Sequence, residues 1–138
     1  MLVDWDGNGS ANAQDEWIEI YNAGPASIDL AGWELWNGKG GSRSYRFGTH
    51  TIIPADGYLV LFRSRTKLDL NPLGDKIILS DWRGRAIDQV TFGPMLTDTS
   101  YSRDAYGYWH ADWDATPGGP NVPPDLFRIR LGNRPILR

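Results

Sequence analysis

The chain has 138 residues, of which 41% are apolar, and its formal net charge is −3. A chain of this length builds one hydrophobic core and buries roughly two thirds of the surface that its unfolded state exposes. The absence of cysteine excludes disulfides, thiolate metal sites and a cysteine nucleophile. The sequence contains no run of about 18 apolar residues and no basic-then-apolar leader, so we expect the chain as given neither to span a membrane nor to carry its own export signal.

The charge is distributed unevenly along the chain. Residues 1–121 contain ten Lys plus Arg against sixteen Asp plus Glu, whereas residues 122–138 contain four Arg against one Asp. Phosphate contacts require a positive face that releases counterions, which an acidic body does not provide. We therefore expect no broad nucleic-acid binding.

The first predicted element is a polar loop with the oxygen spacing of an EF-hand-type calcium site. Its side chains fit the ligand positions of that loop, and Gly9 allows the sharp turn. The alternative is a polar leader rich in Asp-Gly and Asn-Gly turns, because no helix flanks the loop and its last position is Asp rather than Glu. Calcium is the only cofactor that the sequence suggests, and its predicted ligands are Asp4, Asp6, Asn8, the Ser10 carbonyl, Asn12 and Asp15.

Residues 15–22 are predicted to form the strand around which the rest of the chain is organised. Ile18 and Ile20 alternate with larger or polar side chains, which is the period of a strand that buries one face. Residues 57–62 are apolar on both faces and predict a deeply buried strand, either a central strand covered on both sides or a strand lying under a loop. Three shorter strands are expected between these two, at residues 27–30, 32–36 and 43–47.

A β-hairpin is predicted for the next part of the chain. Residues 75–80 and 86–92 have strand patterns, and the four residues 81–84 that join them end in glycine. In the second strand the apolar residues Ile87, Val90 and Phe92 break the alternation of inward and outward side chains by one residue. This shift predicts a bulge near residues 88–89.

Two further strands, at residues 100–103 and 106–110, complete a set of eight or nine short, mostly antiparallel strands. No capped helical period exceeds two turns, so the pattern is typical of an all-β sandwich or barrel. The predicted core combines the inward-facing residues of separate strands. These residues are Ile18, Ile20, Trp33, Leu35, Leu59, Leu61, Ile77, Leu79, Val90 and Phe92.

Seven motifs in this order resemble those of the lamin tail domain family, and the resemblance runs from about residue 4 to residue 121. The motifs are residues 15–22, 30–35, 53–61, 74–79, 81–84, 99–103 and 116–121. The resemblance implies an immunoglobulin-like β-sandwich without catalytic residues. This fold occurs in nuclear lamins and, in bacteria, as an accessory module of secreted or surface enzymes.

The resemblance also suggests how the chain is organised and where it works. Residues 1–121, including the polar loop of residues 1–15, are expected to form the lamin-tail-like domain. Because coiled-coil heptads are absent, the chain resembles the bacterial kind. We therefore expect a non-catalytic binding, adhesion or structural module of an exported protein, located outside the cell or on its surface.

Residues suited to catalysis have simpler explanations. His50 and His110 are the only histidines, and neither lies in a recognisable nucleophile setting. Glu16, Glu19 and Glu34 could supply a carboxylate pair for glycoside hydrolysis, but carboxylates at this spacing on strands are far more often solvated outward positions of a sheet. The sequence therefore predicts that the protein is not an enzyme.

Aromatic residues are more abundant than a core of this size requires, with seven Trp and six Tyr. Four tryptophans in or beside turns could stack on sugar rings or on a protein partner, or could simply pack over the ends of the sandwich. A carbohydrate-binding module is thus the alternative to a protein-binding module. The four are Trp36, Trp82, Trp109 and Trp113.

The remaining positive charge falls in two places. Arg63, Arg65 and Lys67 are spaced by two and would line one side of an extended segment, where a solvated basic stripe is the simpler interpretation. Residues 122–125 predict a stiff linker, and in residues 126–131 apolar side chains alternate with arginine. We expect this second segment to add to a free sheet edge of its own molecule or a neighbour, unless the terminus is disordered.

Overall fold

The computed structural model describes residues 7–12, 15–38, 44–71, 73–95, 99–121, 130–131 and 134–135. Within these ranges the chain forms twelve β-strands and one turn of α-helix, which confirms the prediction of an all-β fold. Eight of the strands have three or more residues, in agreement with the expected eight or nine. No helix in these ranges is long and apolar enough to cross a membrane.

Most strands lie where the period-two patterns predict them. The elements in chain order are β1 (Trp17–Tyr21), β2 (Ile28–Asp29), β3 (Glu34–Asn37), β4 (Ser44–Arg46), β5 (Ile52–Ile53), β6 (Tyr58–Phe62), α1 (Arg63–Thr66), β7 (Asp75–Ser80), β8 (Ala86–Phe92), β9 (Thr99–Arg103), β10 (Trp109–Asp114), β11 (Arg130–Leu131) and β12 (Arg134–Pro135). The bounds of β7 and β8 are those predicted. In contrast, β10 begins later than expected, because the residues before it form a tight turn.

The strands assemble into antiparallel sheets. The largest contains β4, β3, β7 and β8 in that spatial order. The others pair two by two, β1 with β6, β2 with β5, β9 with β10, and β11 with β12. Sheets with one apolar face bury it against one another. The architecture is an immunoglobulin-like β-sandwich, as the sequence predicted.

All ten residues of the predicted core lie in, or pack against, one hydrophobic cluster. Leu35 and Leu61, each 1% exposed, belong to β3 and β6 and so join two sheets. The sequence pattern missed four fully buried members that lie in or beside very short elements. These four are Leu30, Phe47, Ile53 and Leu68.

The β7–β8 hairpin confirms both the antiparallel pairing and the existence of a bulge. Asp75 pairs with Phe92 and Leu79 with Asp88, after which the register shifts so that Ser80 pairs with Ala86. The extra residue is therefore Ile87, one position before the predicted bulge. Because the bulge turns Ile87 away from the core, this side chain is 51% exposed.

Asp81 fixes the turn of this hairpin. Its Oδ1 accepts hydrogen bonds from the backbone amides of Arg83 and Arg85, both at 2.9 Å, and its Oδ2 accepts one from Arg85 Nε at 2.9 Å. Burial acts to raise the pKa of Asp81, but these hydrogen bonds and the charge of Arg85 outweigh it. The pKa therefore lies below the ordinary value of 3.8.

The prediction that residues 57–62 form a deeply buried strand is wrong. Among the described strands β6 pairs only with β1, and Leu61 is its one buried residue. Tyr58 stacks on Tyr21 of β1, with ring centroids 4.9 Å apart, and Tyr21 is 48% exposed. The apolar character of both faces thus reflects aromatic pairing on an outer face rather than burial under another layer.

The prediction of an extended basic stripe at residues 63–67 is also wrong, because these residues form α1 and its left-handed cap, Lys67. Arg63 forms ion pairs with Glu16 at 3.5 Å and Asp69 at 3.1 Å. Arg65 Nε donates a hydrogen bond to the hydroxyl of Tyr45 at 2.8 Å. A helical turn points the two arginines in different directions, so they join separate parts of the sandwich.

Candidate binding surface

The β9–β10 hairpin carries two of the five exposed aromatic residues of the described surface. Residues 104–108 connect its strands and are called the tyrosine tip below. The amide of Asp104 donates to the carbonyl of Tyr108 at 2.8 Å, and Gly107 adopts φ +91° to close the turn. The two strands pair antiparallel, with a register shift between His110 and Trp113.

The carboxylate of Asp104 holds the tyrosine tip in shape. Its Oδ1 accepts hydrogen bonds from the backbone amides of Tyr106 at 2.8 Å and Tyr108 at 3.0 Å, while its Oδ2 lies 2.8 Å from Nε2 of His110. The His110 bond and the two amide bonds lower the pKa of Asp104 below its ordinary value, against the opposing effect of burial. One carboxylate therefore contacts two amides of the five-residue loop and the side chain of His110 on β10.

This fixed backbone presents two tyrosine rings to solvent. Tyr106 is 88% exposed and Tyr108 is 70% exposed, the first and third most exposed among the large hydrophobic residues of the described chain. Large aromatic rings in such positions leave apolar area in water that a partner could cover. The two side chains lie on either side of Gly107, at neighbouring positions of one turn.

Stacked aromatic residues on β9 and β10 pack next to the tyrosine tip. The rings of Tyr101 and Trp109 are nearly parallel, with centroids 5.4 Å apart, and the guanidinium of Arg103 lies 4.4 Å from the Trp109 ring. Arg103 also reaches Asp88 of β8 at 3.1 Å. On the other strand, His110 stacks on Trp113 at 4.5 Å. The Arg103–Asp88 ion pair joins the hairpin to the four-stranded sheet, and the ring contacts hold β9 and β10 together.

The structure separates the four tryptophans that the sequence proposed as a binding face. Trp109 and Trp113 are half-buried in the base of the hairpin and contact protein groups there. Trp82 is 61% exposed in the β7–β8 turn, but Arg83 covers its ring at 4.5 Å. Trp36, on β3, is 37% exposed. Packing within the fold therefore explains the two hairpin tryptophans.

Sequence reasoning missed Tyr106 and Tyr108, although a signal for them was present. Asp104 followed by a Gly at residue 107 is typical of a turn, and apolar residues within a turn are exposed more often than those within a strand. The assignment of residues 106–110 to a strand concealed that signal. It was wrong because the strand begins at Trp109.

The structure describes four of the six predicted calcium ligands, Asn8, Ser10, Asn12 and Asp15, whereas Asp4 and Asp6 lie outside the described residues. Asp15 is 5% exposed and accepts a hydrogen bond from the Asn12 amide at 2.7 Å. The Asn12 side chain donates to the Ser10 carbonyl at 2.8 Å. The four residues thus share one folded loop. The described ranges contain no metal-binding group of three or more His, Asp or Glu, and the calcium site stays a prediction.

The carboxylates and histidines considered for catalysis have structural contacts. Glu34 pairs with an arginine of β4 at 3.4 Å, and Glu19 accepts a 2.6 Å hydrogen bond from the amide of Gly118. Burial raises the pKa of both Glu16 and Glu19, and hydrogen bonds from backbone amides partly offset it. His50 is an exposed turn residue with φ 62°. These contacts account for the three carboxylates as parts of the fold.

The C-terminal segment is described only in part. Residues 122–129 lie outside the described ranges, and β11 pairs with β12 in a two-stranded antiparallel sheet. The expectation that residues 126–131 add to a free sheet edge stays a prediction. Asn121, the last residue before this segment, donates a hydrogen bond from Nδ2 to the carbonyl of Arg103 at 2.9 Å.

Comparison with known proteins gives one result. A family model described as the lamin tail domain matches residues 2–94, about two thirds of the chain, and this span includes β1 to β8. The β9–β10 hairpin and two of the seven motifs follow the matched span. No curated protein and no solved structure matches the chain. On the strength of the family match, the chain belongs to the lamin tail domain family.

Proposed function

We propose that this lamin tail domain is a non-catalytic protein-binding module and that the tyrosine tip is its contact surface. The family is one of immunoglobulin-like binding or structural domains. One observation carries the proposal: Tyr106 and Tyr108 are 88% and 70% exposed on a loop that Asp104 holds in a single shape.

The chemistry of this loop suits a protein partner. Tyrosine offers a large apolar ring and a polar hydroxyl at the cost of only two side-chain torsions, which is why binding loops use it often. A loop that is already ordered loses little conformational entropy when it binds. Asp104 provides that order before any partner arrives, and the stacked rings of Tyr101 and Trp109 keep the base in place.

Carbohydrate binding is the second candidate, and the exposure of Trp82 and Trp36 favours it. An indole ring in solvent can stack on the apolar face of a sugar. However, the two rings lie on different elements, a turn and a strand, and Arg83 occupies one side of Trp82. We rank this function below protein binding for that reason.

A selection experiment distinguishes the two functions. A displayed random-peptide library is selected on the immobilised full chain, and the selected peptides are measured on Tyr106→Ser/Tyr108→Ser. Affinity should fall at least about tenfold, since exposed aromatic residues dominate binding energy in such contacts. Tyr21→Ser, at a 48% exposed tyrosine outside the hairpin, is the matched control and should leave affinity unchanged.

The same proteins are applied to a glycan array. Peptides that bind the double variant as tightly as the wild type would contradict the proposed surface. Glycan binding that is lost in Trp82→Ala or Trp36→Ala, without any peptide binding, would favour the carbohydrate function instead. Circular dichroism of each variant confirms that the sandwich is intact.

We further propose that the domain is an accessory part of an exported protein and works outside the cell. The seven motifs, which follow one another in the order of the lamin tail domain family and resemble its bacterial kind, support this location. The absence of cysteine is compatible with it, because a fold without disulfides needs no particular redox compartment. An antibody raised against the chain should label intact cells of the source organism. Labelling only after permeabilisation would contradict an extracellular location.

A further inference from the structure

Asparagine directly precedes glycine at two places in the chain, where Asn8 precedes Gly9 and Asn37 precedes Gly38. In such a pair the backbone nitrogen of the glycine can attack the side-chain amide carbon of the asparagine. Glycine favours this attack because it has no β-carbon to obstruct the approach and adopts backbone conformations that other residues avoid. The reacting atoms are the same in both pairs, but the fold holds them very differently.

The first pair lies on an exposed bend. Asn8 and Gly9 are exposed and belong to no strand or helix, and Gly9 adopts φ +93°. The backbone amide of Ser10 donates a hydrogen bond to Oδ1 of Asn8 at 2.9 Å. Negative charge develops on this oxygen when a nucleophile attacks the amide carbon, and a donor already aimed at it stabilises that charge. The contact that orients the Asn8 side chain thus also favours its reaction.

The second pair is held within the largest sheet. Asn37 is the last residue of β3, and its Nδ2 donates hydrogen bonds to the carbonyl of Asp69 at 2.8 Å and to Oδ2 of Asp75 at 2.9 Å. Asp75 itself is only 2% exposed. The backbone nitrogen of Gly38, which would be the nucleophile, donates to the carbonyl of Lys76 at 2.7 Å. Attack would therefore require these three hydrogen bonds to break.

We propose that Asn8 is a site of spontaneous deamidation and that the sheet protects Asn37 from the same reaction. The nitrogen of Gly9 forms a bond to Cγ of Asn8 and gives its proton to water, while Nδ2 takes a proton and leaves as ammonia. The product is a cyclic imide. Water then opens the ring at either carbonyl, which yields aspartate or isoaspartate. One water is consumed and one ammonia is released, and nothing is oxidised or reduced.

Both products add one negative charge to an exposed loop, and isoaspartate also lengthens the main chain by one carbon. The fixed part of this loop lies further along the chain. The amide of Asn12 donates to Oδ2 of Asp15 at 2.7 Å, and the amide of Asp15 donates to the carbonyl of Asn12 at 3.0 Å. Because Asn8 lies outside this turn and outside the core, we expect the products to accumulate in the folded protein.

Peptide mapping by mass spectrometry tests the proposal on the full chain. The protein is incubated at mildly alkaline pH and then digested after glutamate, lysine and arginine, which places the two asparagines in separate peptides because Glu16 and Glu34 lie between them. The conversion of amide to acid should be at least about tenfold faster at Asn8 than at Asn37, since three hydrogen bonds must break at the second site. An Asn8→Asp variant identifies the aspartate product by its elution.

Two comparisons show whether the fold causes the difference. In guanidinium chloride, which removes the sheet, the two asparagines should react at similar rates. In the folded chain Ser10→Pro, which removes the backbone donor, should slow the reaction at Asn8 several-fold, whereas Ser10→Ala keeps that donor and should leave the rate unchanged. Circular dichroism confirms that both variants keep the sandwich.

Each contrary outcome overturns a stated part of the proposal. Equal rates at the two asparagines of the folded chain, or a faster reaction at Asn37, would overturn it outright. A ratio of rates that persists in guanidinium chloride would assign the difference to the neighbouring residues and overturn the protection by the sheet. If Ser10→Pro reacts as fast as Ser10→Ala, the role of the Ser10 amide is overturned.

Discussion

Leu61 lies at the centre of the sandwich and offers the sharpest test of the fold. It belongs to β6, pairs with Ile18 of β1, and is 1% exposed within the hydrophobic cluster. Replacing it with alanine removes three carbon groups from a closely packed site. Because the surrounding sheets relax only in part, a cavity remains.

The expected destabilisation has two causes, the loss of buried carbon atoms and the cavity that remains. Loss of three buried carbons costs about 2.4 kcal/mol at about 0.8 kcal/mol each, and the residual cavity brings buried Leu→Ala changes into the range of about 3–5 kcal/mol. A chain of 138 residues unfolds with an entropy of about 0.3 kcal/mol/K. A loss of 3 kcal/mol therefore lowers Tm by about 10 °C.

Urea denaturation at equilibrium measures the change in unfolding free energy directly. Ile52→Ala is the matched control, since Ile52 is 56% exposed on β5 and should cost less than about 1 kcal/mol. The slope of free energy against urea should be the same for wild type and both variants. A cost for Leu61→Ala that is no larger than that of Ile52→Ala would refute the position of β6 against the core.

Two further predictions concern ionised groups. Burial raises the pKa of Glu19 above its ordinary value of 4.5, so its contribution to stability is complete below about pH 4.5 and is lost as the pH rises through the folded-state pKa. Glu19→Gln stays neutral, so urea titrations should show that this variant gains stability relative to wild type between about pH 4 and pH 7. A difference in unfolding free energy between variant and wild type that stays the same across this range would contradict the raised pKa. If the loop from Asp4 to Asp15 binds calcium with an extracellular affinity on the order of 10⁻⁴ to 10⁻³ M, about 5 mM calcium should stabilise the fold by about 1–2 kcal/mol relative to chelator. Asp6→Ala should abolish that gain, and equal melting temperatures of the wild type in both solutions would exclude the site.

The alternation of side chains predicted much of the fold because it is a local property. β7 and β8 have enough residues for a period of two to be recognised, and their bounds match the structure. The ten core residues were found for the same reason. Leu30, Phe47 and Ile53 were missed because two or three residues in a short strand, or one residue after it, do not establish a period. Leu68 was missed because it follows the single helical turn of α1 and belongs to no strand.

The candidate binding surface depends on side-chain contacts that the alternation of apolar and polar residues does not reveal. The sequence named Trp109 and Trp113, but the rings that reach solvent are Tyr106 and Tyr108. Their exposure follows from the hydrogen bonds of Asp104, which convert a predicted strand into a turn. A sequence pattern contains no information on which of two neighbouring aromatic residues a stacking partner will cover.

The sequence by itself determined the fold class, the family, the β7–β8 hairpin and ten of the residues that form or pack against the core. These features follow from composition, local period and turn chemistry, which act over a few residues. Only the tertiary structure decided that β6 has an open outer face, that Arg63 and Arg65 turn apart, and that the tyrosine tip is the exposed aromatic site. The open face of β6 depends on which strand lies next to it, and that pairing is set by packing between segments distant along the chain. The other two features follow from the helical turn of α1 and from the hydrogen bonds of Asp104, which the alternation of side chains does not reveal.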